Sequence, residues 1–431
     1  MVNLQPFRAT YYNPERIPSL NQVLTPPYDV ISAAQQDGYY AQDPHSFIRI
    51  DYGKRQETDH EQDNVYTRAA ATLKTWLAEG VFTSSAEPGL YLHTLHYQHG
   101  QHELSRTDLF VLCETTPFEA QNVLPHEKTI EGPKADRLSL LEATQTHLSP
   151  VFALYSDHEG FLNGYFEQVQ SQAPLFQFKD HEGIQHSVWY NADPEAIGKV
   201  QHWFRERQLF IADGHHRYET ALNYKRRHAQ ETPHYPAQDH VCMYLSNIYD
   251  PGLLVLPTHR LLKPSVPLPS LDVIKERLSK YFRIESADPA ALPALLAQAS
   301  EDETAIGIEM QGQGLLLKRA KGLPDGLLKE RSASYRGMDV SVLHDLILYQ
   351  ELEFPKEWAK NPDYILFSPD WAQIRTWLAD QTGTVGFCLN ATAVQELCGV
   401  ALAGETMPPK STYFYPKMPS GILLARFEDA L

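Results

Sequence analysis

The stretch Leu209-Phe-Ile-Ala-Asp-Gly-His-His-Arg-Tyr-Glu-Thr-Ala-Leu222 constrains this chain more than any other, because its apolar period changes once, at Gly214. Leu209, Phe210 and Ile211 suit a buried strand, whereas Tyr218, Ala221 and Leu222 recur at helical spacing. The segment predicts strand, tight turn and helix, with His215, His216 and Arg217 in the helix's first turn. Such a turn favours an anion. The N-terminal N–H groups and the positive end of the helix dipole attract it, and glycine lets a phosphate approach the backbone. Arg217 adds a bidentate grip on its oxygens. A plainer reading makes Asp213 the N-cap of a solvated helix start.

A length of 431 residues allows about three domains, and 42% hydrophobic content is enough for buried cores. No apolar run approaches a membrane span, and the first residues lack the apolar core of a signal peptide, so the expected compartment is the cytoplasm. Cys113, Cys242, Cys388 and Cys398 are scattered, without the spacing of a zinc site or a disulfide framework. The formal net charge of −17 opposes nucleic-acid binding, which needs a basic surface, but is compatible with a local basic pocket for a small anion.

Other candidate residues lie in short Pro- or Gly-marked stretches. In Thr25-Pro-Pro-Tyr-Asp-Val-Ile31 two prolines stiffen the backbone and present Asp29, although a solvated turn aspartate is the simpler account. Residues 46–51 read as a short strand, and 62–81 as a helix with Trp76 in its apolar face. His93, His96, His99 and His102 are explained by period two on a half-exposed hairpin, with a second strand at 109–113. Between Leu124 and Leu138 fall His126, Glu127, Lys128, Lys134, Asp136 and Arg137, a mixture of proton donors, acceptors and cations that general acid–base chemistry would use. Asp136 also suits the N-cap of the following helix. A strand ending in Thr258-His259-Arg260 supplies two more basic groups. The tail Met407-Pro-Pro-Lys-Ser-Thr-Tyr-Phe-Tyr-Pro-Lys417 offers Lys410, Ser411, Thr412 and Lys417, suited to phosphate or carboxylate or to a packed C-terminal hairpin. From 263 to 336 no chemical constellation stands out.

Together the segments Pro26–Val30, Leu124–Glu127, Gly132–Arg137, Ala212–Ala221, Pro257–Arg260 and Met407–Lys417 resemble a bacterial and archaeal family known as domain of unknown function ten-fifteen. The turn Gly214-His-His-Arg217 is also similar to the phosphate-binding turn of the ParB and sulfiredoxin superfamily. Sulfiredoxins carry a reactive cysteine where this chain has His215, so their reaction is not expected. The Asp-Gly-His-His-Arg form looks closest to the superfamily's free-serine kinases, which move a phosphoryl group from a nucleotide to serine.

The resemblance implies an α+β fold. A ParB/sulfiredoxin-like phosphate-binding core with insertions would occupy 1–262, an accessory α+β module 263–336, and a C-terminal α/β region packing back on the core 337–431. It implies phosphoryl transfer from ATP, ADP or pyrophosphate to a hydroxylated metabolite, L-serine first among them. Gly214, His215, His216 and Arg217 would cradle the donor phosphates, with Lys134, Arg137, His259, Arg260, Lys410, Ser411, Thr412 and Lys417 as further phosphate or nucleotide contacts. Asp213 would hold Mg²⁺, and Glu127, flanked by His126, would act as the acceptor-side base with Asp29 as its rival. A nucleotide-sensing regulatory protein without turnover and a nucleotide hydrolase are the alternatives. The expected partners are a nucleotide and a small-molecule substrate, not nucleic acid or membrane.

Overall fold

A computed structural model describes residues 1–129, 131–230, 233–266 and 268–428. The chain is a mixed α/β protein with several sheets, and it divides into two compact units. The first comprises residues 1–125, 129–253 and 416–431; the second comprises 126–128 and 254–415. Among the described residues no helix is long and apolar enough to cross a membrane.

The first unit is built on a nine-stranded sheet. Its strands run in the order Val123–Leu124, Leu209–Asp213, Val151–Tyr155, His240–Asn247, His102–Glu114, Leu90–His99, Gln185–Asn191 and Phe176–Lys179, with Leu4–Gln5 also paired to His102–Glu114. The central strands are apolar and sealed: Val151, Ala153, Ile211, Met243 and Leu245 are fully buried, as expected where both faces of a sheet are covered. The hairpin of the sequence reading is present, but its second strand starts at His102 rather than Leu109, because Gly100 at φ 60° turns the chain tightly enough for His99 to pair with His102. The expected strand at 46–51 is instead a helical turn, Ile48–Asp51. Phe47, Ile48 and Ile50 are all buried, so the alternation seen in the sequence does not separate a wet face from a dry one.

Two polar features lie within this core. Arg106 and Asp108, both fully buried, form a forked ion pair: Nε donates to Oδ1 at 3.0 Å and Nη2 to Oδ2 at 3.1 Å, and Ser246 Oγ donates to Oδ1. His93 is stacked on His186, with a 3.0 Å contact between Nε2 and Nδ1, and Asp180 Oδ2 lies 3.2 Å from His186 Nε2. His147 sits in the short strand Thr146–His147, paired antiparallel with Ala425–Arg426.

His147 Nε2 donates to the His240 carbonyl at 2.8 Å, and burial pushes its pKa down to about 4 although that hydrogen bond favours the charged ring. The unfolded chain therefore takes up a proton here first, near the ordinary histidine value. Stability should be full above about pH 6.5 and should fall by about 3 kcal/mol as pH drops from there to 4. Urea midpoints across that range measure it. His147→Gln should flatten the slope, and a wild-type slope retained in the variant would assign the acid sensitivity elsewhere.

The second unit holds a six-stranded sheet in the order Arg283–Ala287, Gln313–Ala320, Glu303–Met310, Val385–Leu389, His259–Leu262, Ile365–Ser368. Leu261, Leu292, Leu316, Trp371 and Ile374 fill one side of it. Alternation along His259–Leu262 puts His259 with that core, its ring 5.4 Å from Trp371, and turns Arg260 to the opposite face. Val342–Glu351 winds as a π-helix and contributes Val342, Leu343, His344, Leu346 and Ile347 to the interior.

Candidate functional site

The period switch at Gly214 is realised as a strand, Leu209–Asp213, followed by a helix, His215–His228. Gly214 is the N-cap at φ 92°, a left-handed conformation that side-chain-bearing residues adopt at a cost. Tyr218 N donates the first helical bond, to Gly214 O at 3.0 Å. Asp213 makes no cap; it ends the strand, and its carboxylate faces cations instead. Lys417 Nζ donates to Oδ2 at 2.8 Å, and the Arg217 guanidinium lies 3.8 Å from Oδ1. Burial works against ionisation of Asp213, but Lys417 and then Arg217 override it and hold the carboxyl well below the usual range.

Arg217 folds back over the glycine. A Cβ at position 214 would stand 3.0 Å from its Cζ, Nε and Nη2 atoms, so the missing side chain makes room for the guanidinium as well as for backbone approach. Arg217 also donates to the Pro150 carbonyl. Its charged form is favoured by Asp213 and Asp29 against burial, which puts Asp29 within electrostatic reach of the turn. Asp29 is exposed, in a single 3₁₀ turn, Tyr28–Val30, entered through Pro27. A cavity of about 50 Å³ adjoins these groups, lined by Tyr28, Asp51, Arg137, Ser149, Arg217 and Thr220 among others.

Arg137 and Lys134 are already engaged. Arg137 donates to the Asp51 carbonyl at 2.9 Å, to Asp51 Oδ1 at 3.1 Å and to Asp136 Oδ2 at 2.7 Å, and its guanidinium lies 4.1 Å from the centroid of the Tyr28 ring. Burial pushes the Tyr28 phenol up to about 12, although Arg137 and Arg217 pull the other way. Asp136 collects Tyr66 and Arg55 as well, at 2.8 and 2.7 Å. Lys134 pairs with Glu219 at 3.0 Å, and Thr129 Oγ1 donates to the same Glu219 oxygen at 2.8 Å. Asp51 and Glu219 are the members that sequence reasoning missed. Asp51 sat on an expected strand, and Glu219 looked like an ordinary helix-surface acid. His215 is buried and His216 half-buried at the head of the helix.

The remaining candidates belong to the second unit. His126 accepts Met407 N at its carbonyl at 2.8 Å, and its Nε2 is 3.4 Å from Thr412 Oγ1. Glu127 is half-buried, and Lys360 Nζ donates to the Lys128 carbonyl at 2.9 Å. Ser411 is buried and donates to the Pro408 carbonyl at 2.6 Å, while the Lys410 side chain is exposed on a left-handed backbone at φ 52°. His259 Nδ1 accepts Leu389 N at 3.2 Å; burial and then Arg260 push its pKa down to about 4. Arg260 is 1% exposed and donates to the carbonyls of Thr258, Pro409 and Lys410, the last at 3.0 Å. Burial lowers its pKa to about 9. The motifs thus sort into two groups: Asp29, Lys134, Arg137, the 213–217 turn and Lys417 in the first unit, and 126–128, His259, Arg260 and 410–412 in the second.

Mixed α/β architecture with a glycine-capped, cation-lined turn defines the general class. The chain belongs to the family described as protein of unknown function (DUF1015), which matches residues 4–341. No curated protein matches it. Several solved structures resemble it at low identity. A conserved hypothetical protein from Pyrococcus furiosus is 13% identical, over 75% of this chain and 97% of that one, with a TM-score of 0.35. A free serine kinase in complex with AMP is 12% identical, over 75% and 93%, with a TM-score of 0.36. SbnI with C-terminal truncation from Staphylococcus aureus is 11% identical, over 72% and 85%, with a TM-score of 0.35. Likenesses this distant carry no argument about function.

Proposed function

We propose that the first unit binds the phosphates of a nucleotide or of pyrophosphate at the 213–217 turn and transfers a phosphoryl group to a small hydroxylated metabolite, with L-serine the first candidate. The observation that carries this reading is the pairing of Asp213 with two cations, Arg217 and Lys417, at the head of one helix, with Asp29 within electrostatic reach of Arg217. Phosphoryl transfer depends mostly on positioning and on neutralising charge, and such a set supplies both. Arg217 and Lys417 would bind phosphate oxygens, assisted by the helix dipole. A phosphate arriving at Lys417 would compete with Asp213 for its ammonium and leave Asp213 ionised.

Mg²⁺ fits this donor set, since it uses one or two carboxylates and fills its remaining positions with phosphate oxygens and water. Asp213 would hold it, and when bound it would spread the charge of the phosphates. Asp29 is the better candidate for the acceptor-side base within this unit, being exposed, held by prolines and within electrostatic reach of Arg217. Glu127, the favoured base from sequence, belongs to the second unit.

Incubation with ATP, ADP or pyrophosphate, Mg²⁺ and pooled amino acids and sugars, followed by phosphorus NMR, tests the proposal. A new phosphate ester supports it. Free phosphate alone would indicate a hydrolase, and binding without turnover a sensor. Arg217→Ala should weaken nucleotide binding by about 2–4 kcal/mol by calorimetry. Near-wild-type affinity in a folded variant would sink the assignment of the turn.

A further inference from the structure

Arg260 presents an uncompensated charge in the interior of the second unit. No carboxylate among the described residues pairs with it, its two terminal nitrogens are spent on main-chain carbonyls, and its Nε has no partner. A buried guanidinium without an anion is costly, and carbonyl dipoles offset that cost only in part. Two further buried polar atoms are also unpartnered: Thr258 Oγ1, just before the strand that carries Arg260, and His344 Nε2. His344 is fully buried and lies within electrostatic range of Arg260. Its Nδ1 is 3.0 Å from Tyr349 Oη; a phenol donating there leaves the proton of the neutral ring on Nε2, as a donor. Three buried polar atoms thus lack partners here: Arg260 Nε, a donor; His344 Nε2, a donor when the phenol donates to Nδ1; and Thr258 Oγ1, which can donate or accept. The segment over it is strained, since Lys410 turns at φ 52° to bring its carbonyl to Arg260, and such strain concentrates at functional positions.

We infer that Arg260, Thr258 and His344 form a binding site for the oxyanion of a small ligand, a phosphoryl or carboxylate group held at Arg260 Nε and closed over by residues 408–411. Arg260 supplies the charge, and Thr258 Oγ1 and His344 Nε2 supply directed donors. This site stands on the second unit alone and does not depend on the transfer reaction proposed for the first.

The test is calorimetric titration of the full chain with inorganic phosphate and, separately, with acetate, which distinguishes a phosphoryl from a carboxylate preference. An Arg217→Ala background removes uptake at the turn of the first unit. In that background one of the two anions should bind, and Thr258→Val and His344→Gln should each weaken it by about tenfold or more, as for loss of a hydrogen bond to a charged group. Thr258→Val keeps the side-chain shape. If nothing binds there, trading an unpartnered hydroxyl for a methyl leaves the melting temperature equal or higher, so a folding defect is read separately. Unchanged affinity in both variants, or no uptake of either anion at millimolar concentration, overturns the inference and leaves Arg260 as a brace for the 408–411 segment.

Discussion

Asp29→Asn is expected to lower turnover by about 10²–10⁴-fold while nucleotide affinity stays nearly unchanged, the signature of a lost general base. The substitution keeps the size of the side chain and the Pro26-Pro27 entry to its turn, so local geometry should survive. Because Asp29 is exposed, the change removes no buried contact. Its carboxylate does help to keep Arg217 charged, so a modest change in phosphate affinity is compatible with the role, whereas a large one is not. Glu127→Gln is the paired measurement. Loss of turnover in that variant with Asp29→Asn near wild type would exchange the roles and return the base to the Leu124-Pro-His-Glu127 stretch.

The largest stability effect should come from Arg106→Met. Removing the guanidinium strands Asp108 at a fully buried position, leaving Ser246 and His93 as its neighbours, and breaking a buried pair costs about 3–5 kcal/mol. The double change Arg106→Met with Asp108→Leu should recover most of that loss, because neither charge then remains to be desolvated. Urea denaturation of the single and double variants measures both. If the double variant is as unstable as the single one, the pair is holding the strands in register in a way that apolar packing cannot replace.

The local part of the fold was legible. Leu209–Leu222 announced its strand, glycine turn and helix through period alone, since burial on two faces and then on one leaves a direct trace in residue order. Other features were hidden because they depend on partners far along the chain. Nothing near Arg137 says that Asp51 accepts two of its hydrogen bonds, or near Lys134 that Glu219 faces it. The alternation at 46–51 misled because every apolar side chain there is buried whichever way it points. Lys417 was visible as a candidate, but its carboxylate partner was not: Asp213 lies 204 positions earlier.

That last separation has a consequence for how the protein is made. Residues 416–431 belong to the first unit, yet the whole of 254–415 precedes them in synthesis. At ordinary translation rates Asp213 leaves the ribosome roughly ten to forty seconds before Lys417, and through that interval Lys417 is not there to pair with it. The strand Thr146–His147 likewise waits for Ala425–Arg426. A nascent chain abandoned within 254–415 would therefore carry the glycine turn and Arg217 without Lys417, one of the two cations proposed to hold phosphate. The Lys417–Asp213 pair can close only after translation has passed through the second unit.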